Sequence, residues 1–202
     1  MSVDIHELDS IAPAMARTVA AWLPAIDLAR YVAFLDMMVH YTRRSGERLR
    51  HAAEVARTPA LREFFAALAD DEQDHWRLAA ADLAALGAAP SAATPPEVAD
   101  FHAFWTANDG DGELAFLGAL EVLEDVGRYL QVEVRQALGR LGLTKHQARF
   151  VLVHLEVDLD HGARARALRE RFAGTNPAAL LHGARAAASF WVAIHRAALA
   201  PT

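Results

Sequence analysis

Residues 150–161 read FVLVHLEVDLDH, and the stretch from Phe150 to His161 decides how this chain folds. Within it His154, Asp158 and His161 stand at offsets of four and seven, the spacing that lines side chains along one face of an α-helix. Phe150, Val151, Leu155 and Leu168 mark that face as mostly buried. A structural helix has little reason to carry two imidazoles and a carboxylate on such a stripe. The expectation is a helix whose three polar groups converge on one point as transition-metal ligands.

Outward from that run, Ser, Thr or Asn followed by Pro recurs as a helix N-cap with proline in the first turn, and glycine closes the segment before it. The punctuation predicts a short first helix over about residues 5–21 and a long second one from Pro24 to about Arg57, bent at Ser45-Gly46. Thr58-Pro59 opens a third that ends at Gly87. After a linker, Thr94-Pro95 opens a fourth that closes at Asn108-Asp109-Gly110. A fifth runs from about Gly112 to Arg140 with Gly142 behind it, Thr144 caps a sixth that ends before Gly174, and Asn176-Pro177 opens the last. No stretch alternates convincingly enough to be a strand. The fold class is all-α, a helical bundle of about seven helices forming a single domain over residues 1–202.

Composition narrows the chemistry. The chain has no cysteine, which excludes disulfides, thiolate metal sites, iron–sulfur clusters and a cysteine nucleophile, so any metal must be held by imidazole and carboxylate. It has ten histidines, and only clusters of them carry weight. A formal charge of −6 without a basic stripe argues against nucleic acid as a partner. No run of about 18 uncharged apolar residues predicts a membrane span. The opening MSVDIHELDS lacks the basic and apolar regions of a signal peptide, so the expected location is cytoplasmic. An alanine-rich helical surface is compatible with a homodimer.

Two further helices offer ligands. On the third, Asp71, Glu72 and His75 place a carboxylate one turn before an imidazole, although DDEQD also reads as a solvated charged stripe. On the fifth, Glu121 and Glu124 lie inside LGALEVLEDVGRYL, otherwise apolar enough to be core. A carboxylate buried there needs a basic partner, such as Arg128 for Glu124, or a cation. Bundle cores with carboxylate-rich sets on separate helices bind pairs of iron or manganese ions. Oxygen and nitrogen donors suit redox-active iron or manganese and leave zinc open. Six candidates, Glu72, His75, Glu124, His154, Asp158 and His161, are enough for two ions and open positions for dioxygen. Arg30, Arg43 and Arg44 are candidates to anchor a substrate carboxylate. Trp22, Phe34, Met37, Met38, Phe104, Trp105 and Trp191 are candidates to line an apolar pocket, with ordinary core as the plainer reading of most of them.

From about Tyr31 to Arg169 the chain resembles the haem-oxygenase-like di-iron oxidases and oxygenases. The resemblance rests on DEQDHWRLAAADLAALG, similar to the family's E-x2-H helix, on ALEVLED, similar to its inward glutamate, and on FVLVHLEVDLDH, similar to its H-x3-D-x2-H helix. It implies the fold of haem oxygenase and thiaminase II, with Glu72, His75, Glu124, His154, Asp158 and His161 as ligands of two iron ions, and it favours Glu124 over Glu121. It implies dioxygen as co-substrate and oxidation of a small molecule such as an amino acid, amine or fatty acid. One departure stands out: some members carry a further ligand two turns before the E-x2-H histidine, and Leu68 occupies that position here. Either Glu72 or Asp71 fills that role or one metal site is the weaker. His40 and Glu47 are reserve candidates. The competing readings are a bundle with a structural or mononuclear metal and a haem-binding protein of the same fold.

Overall fold

A computed structural model of the chain describes residues 5–107 and 112–201. Among these residues there are ten α-helices and no strand. They are α1 (Leu8–Ala20), α2 (Leu28–Arg43), α3 (Ser45–Val55), α4 (Pro59–Glu72), α5 (His75–Ala85), α6 (Pro96–Ala107), α7 (Gly112–Asp125), α8 (Gln131–Arg140), α9 (Arg149–Phe172) and α10 (Pro177–Leu199). The seven segments read from the sequence are all present, and three of them are interrupted. The second breaks at Arg44, where a bend was expected. The third breaks at Gln73-Asp74 and the fifth at a 3-10 turn over Val126–Tyr129, where continuous helix was expected. The predicted closure at Asn108-Asp109-Gly110 lies outside the described residues, as does the start of MSVDIHELDS.

Local chemistry accounts for these boundaries. Acidic side chains oppose the negative end of a helix and favour the positive end. Asp74, at the N-cap position of α5, is therefore well placed, whereas Asp70, Asp71 and Glu72 crowd the last turn of α4 and disfavour its continuation. Gln73 at the corner packs where a β-carbon on Gly46 would come within 2.9 Å of its own, so the breaks at Arg44 and Gln73 lie against each other. Pro24 opens only a 3-10 turn, and α2 begins after Asp27, whose Oδ1 accepts the Arg30 amide at 2.8 Å. Thr144 does not start the sixth helix: its amide and hydroxyl both donate to Gln147 Oε1, closing a turn, and α9 begins at Arg149. Gly87 and Gly142 do close their segments, with φ of 74° and 65°.

The N-termini of α4 and α9 are capped from other helices. Glu113 on α7 accepts the Arg57 and Thr58 amides and the Thr58 hydroxyl, at 2.8, 2.9 and 2.9 Å. Asp82 on α5, fully buried, accepts the Phe150 amide at 2.8 Å. Each cap satisfies amides that a helix cannot satisfy itself and ties a site-bearing helix to a neighbour.

The core is one contiguous apolar cluster in which Leu35, Phe65, Leu117, Leu180 and Ile194 are fully buried. Helix α7 packs against both α9 and α10. Its contact with α10 is as close as backbone allows, since a β-carbon on Gly118 would lie 2.1 Å from the Leu180 carbonyl oxygen and one on Gly183 1.8 Å from that of Ala115. Any larger residue would force α7 and α10 apart. No helix among the described residues is long and apolar enough to cross a membrane.

Candidate metal centre

The six candidate ligands come together in two groups. Glu72, His75 and His154 form one, and Glu124, Asp158 and His161 the other; within each group the donor atoms lie within 4.8 Å of one another. Donors held about 2.0–2.2 Å from a shared ion stand roughly 3–4.4 Å apart, so both groups are within a few tenths of an ångström of the dimensions of a coordination shell. The convergence of His154, Asp158 and His161 on one point does not occur. Seven residues of helix span about 10 Å, and α9 runs alongside both groups, giving His154 to the first and Asp158 and His161 to the second. Glu72 and His75 are neighbours across the corner between α4 and α5 rather than along one helical face.

Glu72 connects the groups. One of its oxygens, Oε2, is 2.9 Å from His75 Nδ1, and the other, Oε1, is 3.8 Å from His161 Nδ1, which in turn is 3.3 Å from Glu124 Oε2. The imidazoles are oriented by their other nitrogens. His154 Nδ1 donates to the Phe150 carbonyl at 2.7 Å, which turns the Nε2 lone pair toward the site. Asp71, exposed on the outer side of α4, has Oδ2 3.5 Å from His161 Nε2 and leaves Nδ1 facing inward. Asp71 therefore stands behind a ligand candidate, and His154 completes the group in which Leu68 offers nothing. Leu68 itself is fully buried among apolar side chains.

The other candidates are accounted for elsewhere. Glu121 faces Arg169, with 3.1 and 3.2 Å contacts, and Arg169 continues to Asp9 at 2.6 Å. His40 is 3.0 Å from Ser91 Oγ, and Glu47 pairs with Arg44 at 2.9 and 3.0 Å. Arg128 is exposed and stacks on Tyr129. Arg30 is bound to Asp27 and the Ala25 carbonyl, and Arg43 lies over the Trp76 ring. Of the aromatic and methionine candidates, Phe34, Met38 and Trp191 line a cavity of about 140 Å³ beside the site; Trp105 lines a surface groove. Trp22, Met37 and Phe104 are half-buried against the core.

Residues 32–192 match the model of a family described as iron-containing redox enzymes. The chain belongs to this family. It is also similar to the crystal structure of a domain of unknown function with a heme oxygenase-like fold from Shewanella denitrificans OS217. That similarity has a TM-score of 0.85 at 16% identity, covering 98% of this chain and 93% of the other. No curated protein matches it in sequence.

The fit of iron to this redox enzyme can be tested on its own atoms. Among the described residues eight enclosed side-chain nitrogen and oxygen atoms lack a well-aligned hydrogen-bond partner, and five of them are Glu72 Oε1, His75 Nδ1, His154 Nε2, Asp158 Oδ1 and His161 Nδ1; His75 and His161 lie beside the Glu72 and Glu124 carboxylates without the alignment of a hydrogen bond. Orphaned polar atoms are rare in a folded interior, and five converging on one place need a shared cation to offset their desolvation. The titration pattern agrees. Burial, then the charges of Glu124 and Glu72, push the Asp158 carboxyl well above its usual range, and burial followed by Glu72 pushes Glu124 up. Burial would raise Glu72 too, but His75, His154 and His161 outweigh it and hold Glu72 low. Burial lowers His154, whereas Glu72 outweighs burial at His75 and Glu124 does so at His161, raising both.

Two residues escaped the sequence reading. Asp82 caps the helix that carries three of the six candidates, and the clue was its place in ADLAALG opposite the start of FVLVHLEVDLDH. Arg48 lines the cavity; it shares the buried stripe of α3 with Ser45, Leu49 and Ala52, at offsets a helix face allows.

Proposed function

We propose that this iron-containing redox enzyme is a non-haem di-iron oxidase or oxygenase, which uses dioxygen to oxidise a small organic substrate, an amino acid, an amine or a fatty acid. Glu72, His75 and His154 would hold one ion and Glu124, Asp158 and His161 the other. The observation that carries this reading is the convergence of five orphaned donor atoms on one buried place. Bound iron supplies the electrons that reduce dioxygen and the oxidising power that acts on the substrate.

The rest falls to the chain. Phe34, Met38, Leu120, Leu123 and Trp191 line the cavity next to the ligands and keep bulk water from the reacting centre. Burial keeps the Tyr41 hydroxyl protonated on the same cavity wall, where it can hold a proton close to Glu72, Glu124 and Asp158. His195, its pKa lowered by burial to about 4 and its Nδ1 donating to the Trp191 carbonyl, stays a neutral wall of the same space. A haem-binding reading fits poorly, because about 140 Å³ is well below the ~300–1,000 Å³ of pockets for drug-sized ligands, and a porphyrin needs still more.

The test is anaerobic loading with iron(II), followed by measurement of oxygen uptake in the presence of candidate amino acids, amines and fatty acids. Iron-dependent uptake that at least one of these substrates accelerates, and that Glu72→Ala abolishes, is the expected result. Iron bound without any oxygen uptake would favour a purely structural metal and overturn the proposal.

A further inference from the structure

Among the described residues Arg48 is the one arginine or lysine that lines the cavity beside the candidate metal centre, and it forms no ion pair with an acid there. Its Nη1 is enclosed and has no hydrogen-bond partner, and its Nη2 donates only to Ser45 Oγ, at 3.3 Å. The guanidinium lies over the Phe101 ring at 4.8 Å and the Tyr41 ring at 5.7 Å, which hold it in place without neutralising it. An enclosed, unpaired guanidinium is costly, and a planar fork of donors matches a carboxylate. Arg48 also lines the surface groove bounded by Arg44, Glu47, Arg50 and His102, so it stands between solvent and the interior.

Charge points the same way. Three carboxylates among the six candidate ligands leave two divalent ions with a positive excess, and Arg48 adds to it in the same low-dielectric space. A neutral or cationic substrate would leave that excess uncompensated. The cavity wall is ordered along α2 and α3, from Arg48 and Ser45 through Thr42 and Met38 to Phe34. At the Phe34 end it adjoins a second, almost wholly apolar cavity of about 80 Å³ that shares Phe34, Leu130, Val134, Val151 and His195 and continues to Leu23 and Leu138. One end is cationic, the middle carries Glu72, Glu124, His154 and Asp158, and the far end is hydrocarbon.

We infer that Arg48 is the substrate anchor: it binds the carboxylate of an aliphatic acid whose chain passes the ligand wall and ends in the apolar cavity between Phe34 and Leu138. The inference rests on the cavity being the substrate site of the redox enzyme proposed above, and it narrows the substrate class from amino acids, amines and fatty acids to acids with an apolar remainder.

Binding can be measured without turnover. Octanoate, octanol and octylammonium are titrated into the anaerobic iron(II)-loaded protein and, separately, into the metal-free protein, following the fluorescence of Trp191 and its fellow tryptophans. Octanoate is expected to bind about tenfold or more tightly than either comparator. Arg48→Gln is expected to lose that preference while its octanol affinity stays the same, and Arg48→Lys to recover part of it. Circular dichroism checks that each variant is folded, and the lysine variant carries the test if the glutamine variant is not. Equal binding of octanoate and octanol by the wild type, or an unchanged octanoate preference in Arg48→Gln, overturns the anchor. Failure of the di-iron reading is seen separately, as missing iron in the loaded sample, while the metal-free titration still decides the role of Arg48.

Discussion

The two halves of the candidate centre are built differently. The group of Glu124, Asp158 and His161 has two carboxylates and one imidazole, and comes from α7 and one stretch of α9. The group of Glu72, His75 and His154 has one carboxylate and two imidazoles, and its first two members flank a break between helices. The oxygen-rich half is the one left most strained without a cation, because burial raises both of its carboxyls, helped by Glu124 and Glu72 at Asp158 and by Glu72 at Glu124. In the nitrogen-rich half the charges already offset one another, with Glu72 held low by its histidines. The difference teaches that one half needs a cation to neutralise acids, whereas the other needs one mainly to use its free lone pairs.

The largest effect is expected where the halves meet. Glu72→Ala removes the carboxylate that lies between the two groups and should lower iron-dependent oxygen uptake by at least about a hundredfold, since loss of even an outer partner of a ligand costs ~10–100-fold. Retention of near wild-type uptake would break the two-ion account at its centre. His75→Ala and Asp158→Ala should each leave about one iron per chain in an anaerobic titration, because each spares the other group. With manganese(II), which favours oxygen donors, His75→Ala should retain more metal than Asp158→Ala. The reverse order would contradict the contrast between the halves.

The next effect concerns stability without metal. A carboxyl whose folded pKa lies above its unfolded value favours folding while it is protonated, and that contribution is lost as pH rises through the folded pKa. Asp158 is such a group, so the metal-free protein should lose stability as pH rises beyond the ordinary carboxylate range. Asp158→Asn should remove this loss and raise the melting temperature near neutral pH by about 5 °C, from linkage and the usual size scaling. A melting temperature that falls, or a pH profile unchanged by the substitution, would show that Asp158 is already satisfied by the fold. The smallest effect is expected at the cap. Asp82→Ala should cost about 1 kcal/mol, roughly 2–4 °C of melting temperature, with Asp82→Asn restoring most of it because one acceptor oxygen remains for the Phe150 amide.

The same contrast separates what the sequence made legible from what it hid. The spacing of His154, Asp158 and His161 needed only helical periodicity to be read, because α9 is unbroken from Arg149 to Phe172. That one helix serves two groups could not be read, since periodicity sorts residues by face and not by height along the axis. Choosing Glu124 over Glu121 came from resemblance alone; the physical reason is that Arg169 and Asp9, distant in sequence, occupy Glu121. At the corner Gln73-Asp74 the sequence carries one local sign, Asp74 at a helix N-cap position, but the packing of Gln73 on Gly46 that accompanies it is tertiary. Gly127 in the third interruption lies 3.6 Å, measured from its would-be β-carbon, from Asp158 Oδ2. All three unforeseen or only partly foreseen breaks thus border the candidate centre, where local rules of helix continuity yield to the placement of polar groups.

Mössbauer spectroscopy of the anaerobic protein loaded with two equivalents of iron-57(II) tests the central claim most directly. The account predicts two quadrupole doublets of equal area and different splitting, one for the oxygen-rich and one for the nitrogen-rich group, with His75→Ala and Asp158→Ala each keeping a different one. A single doublet, or one iron that both variants lose, would contradict it.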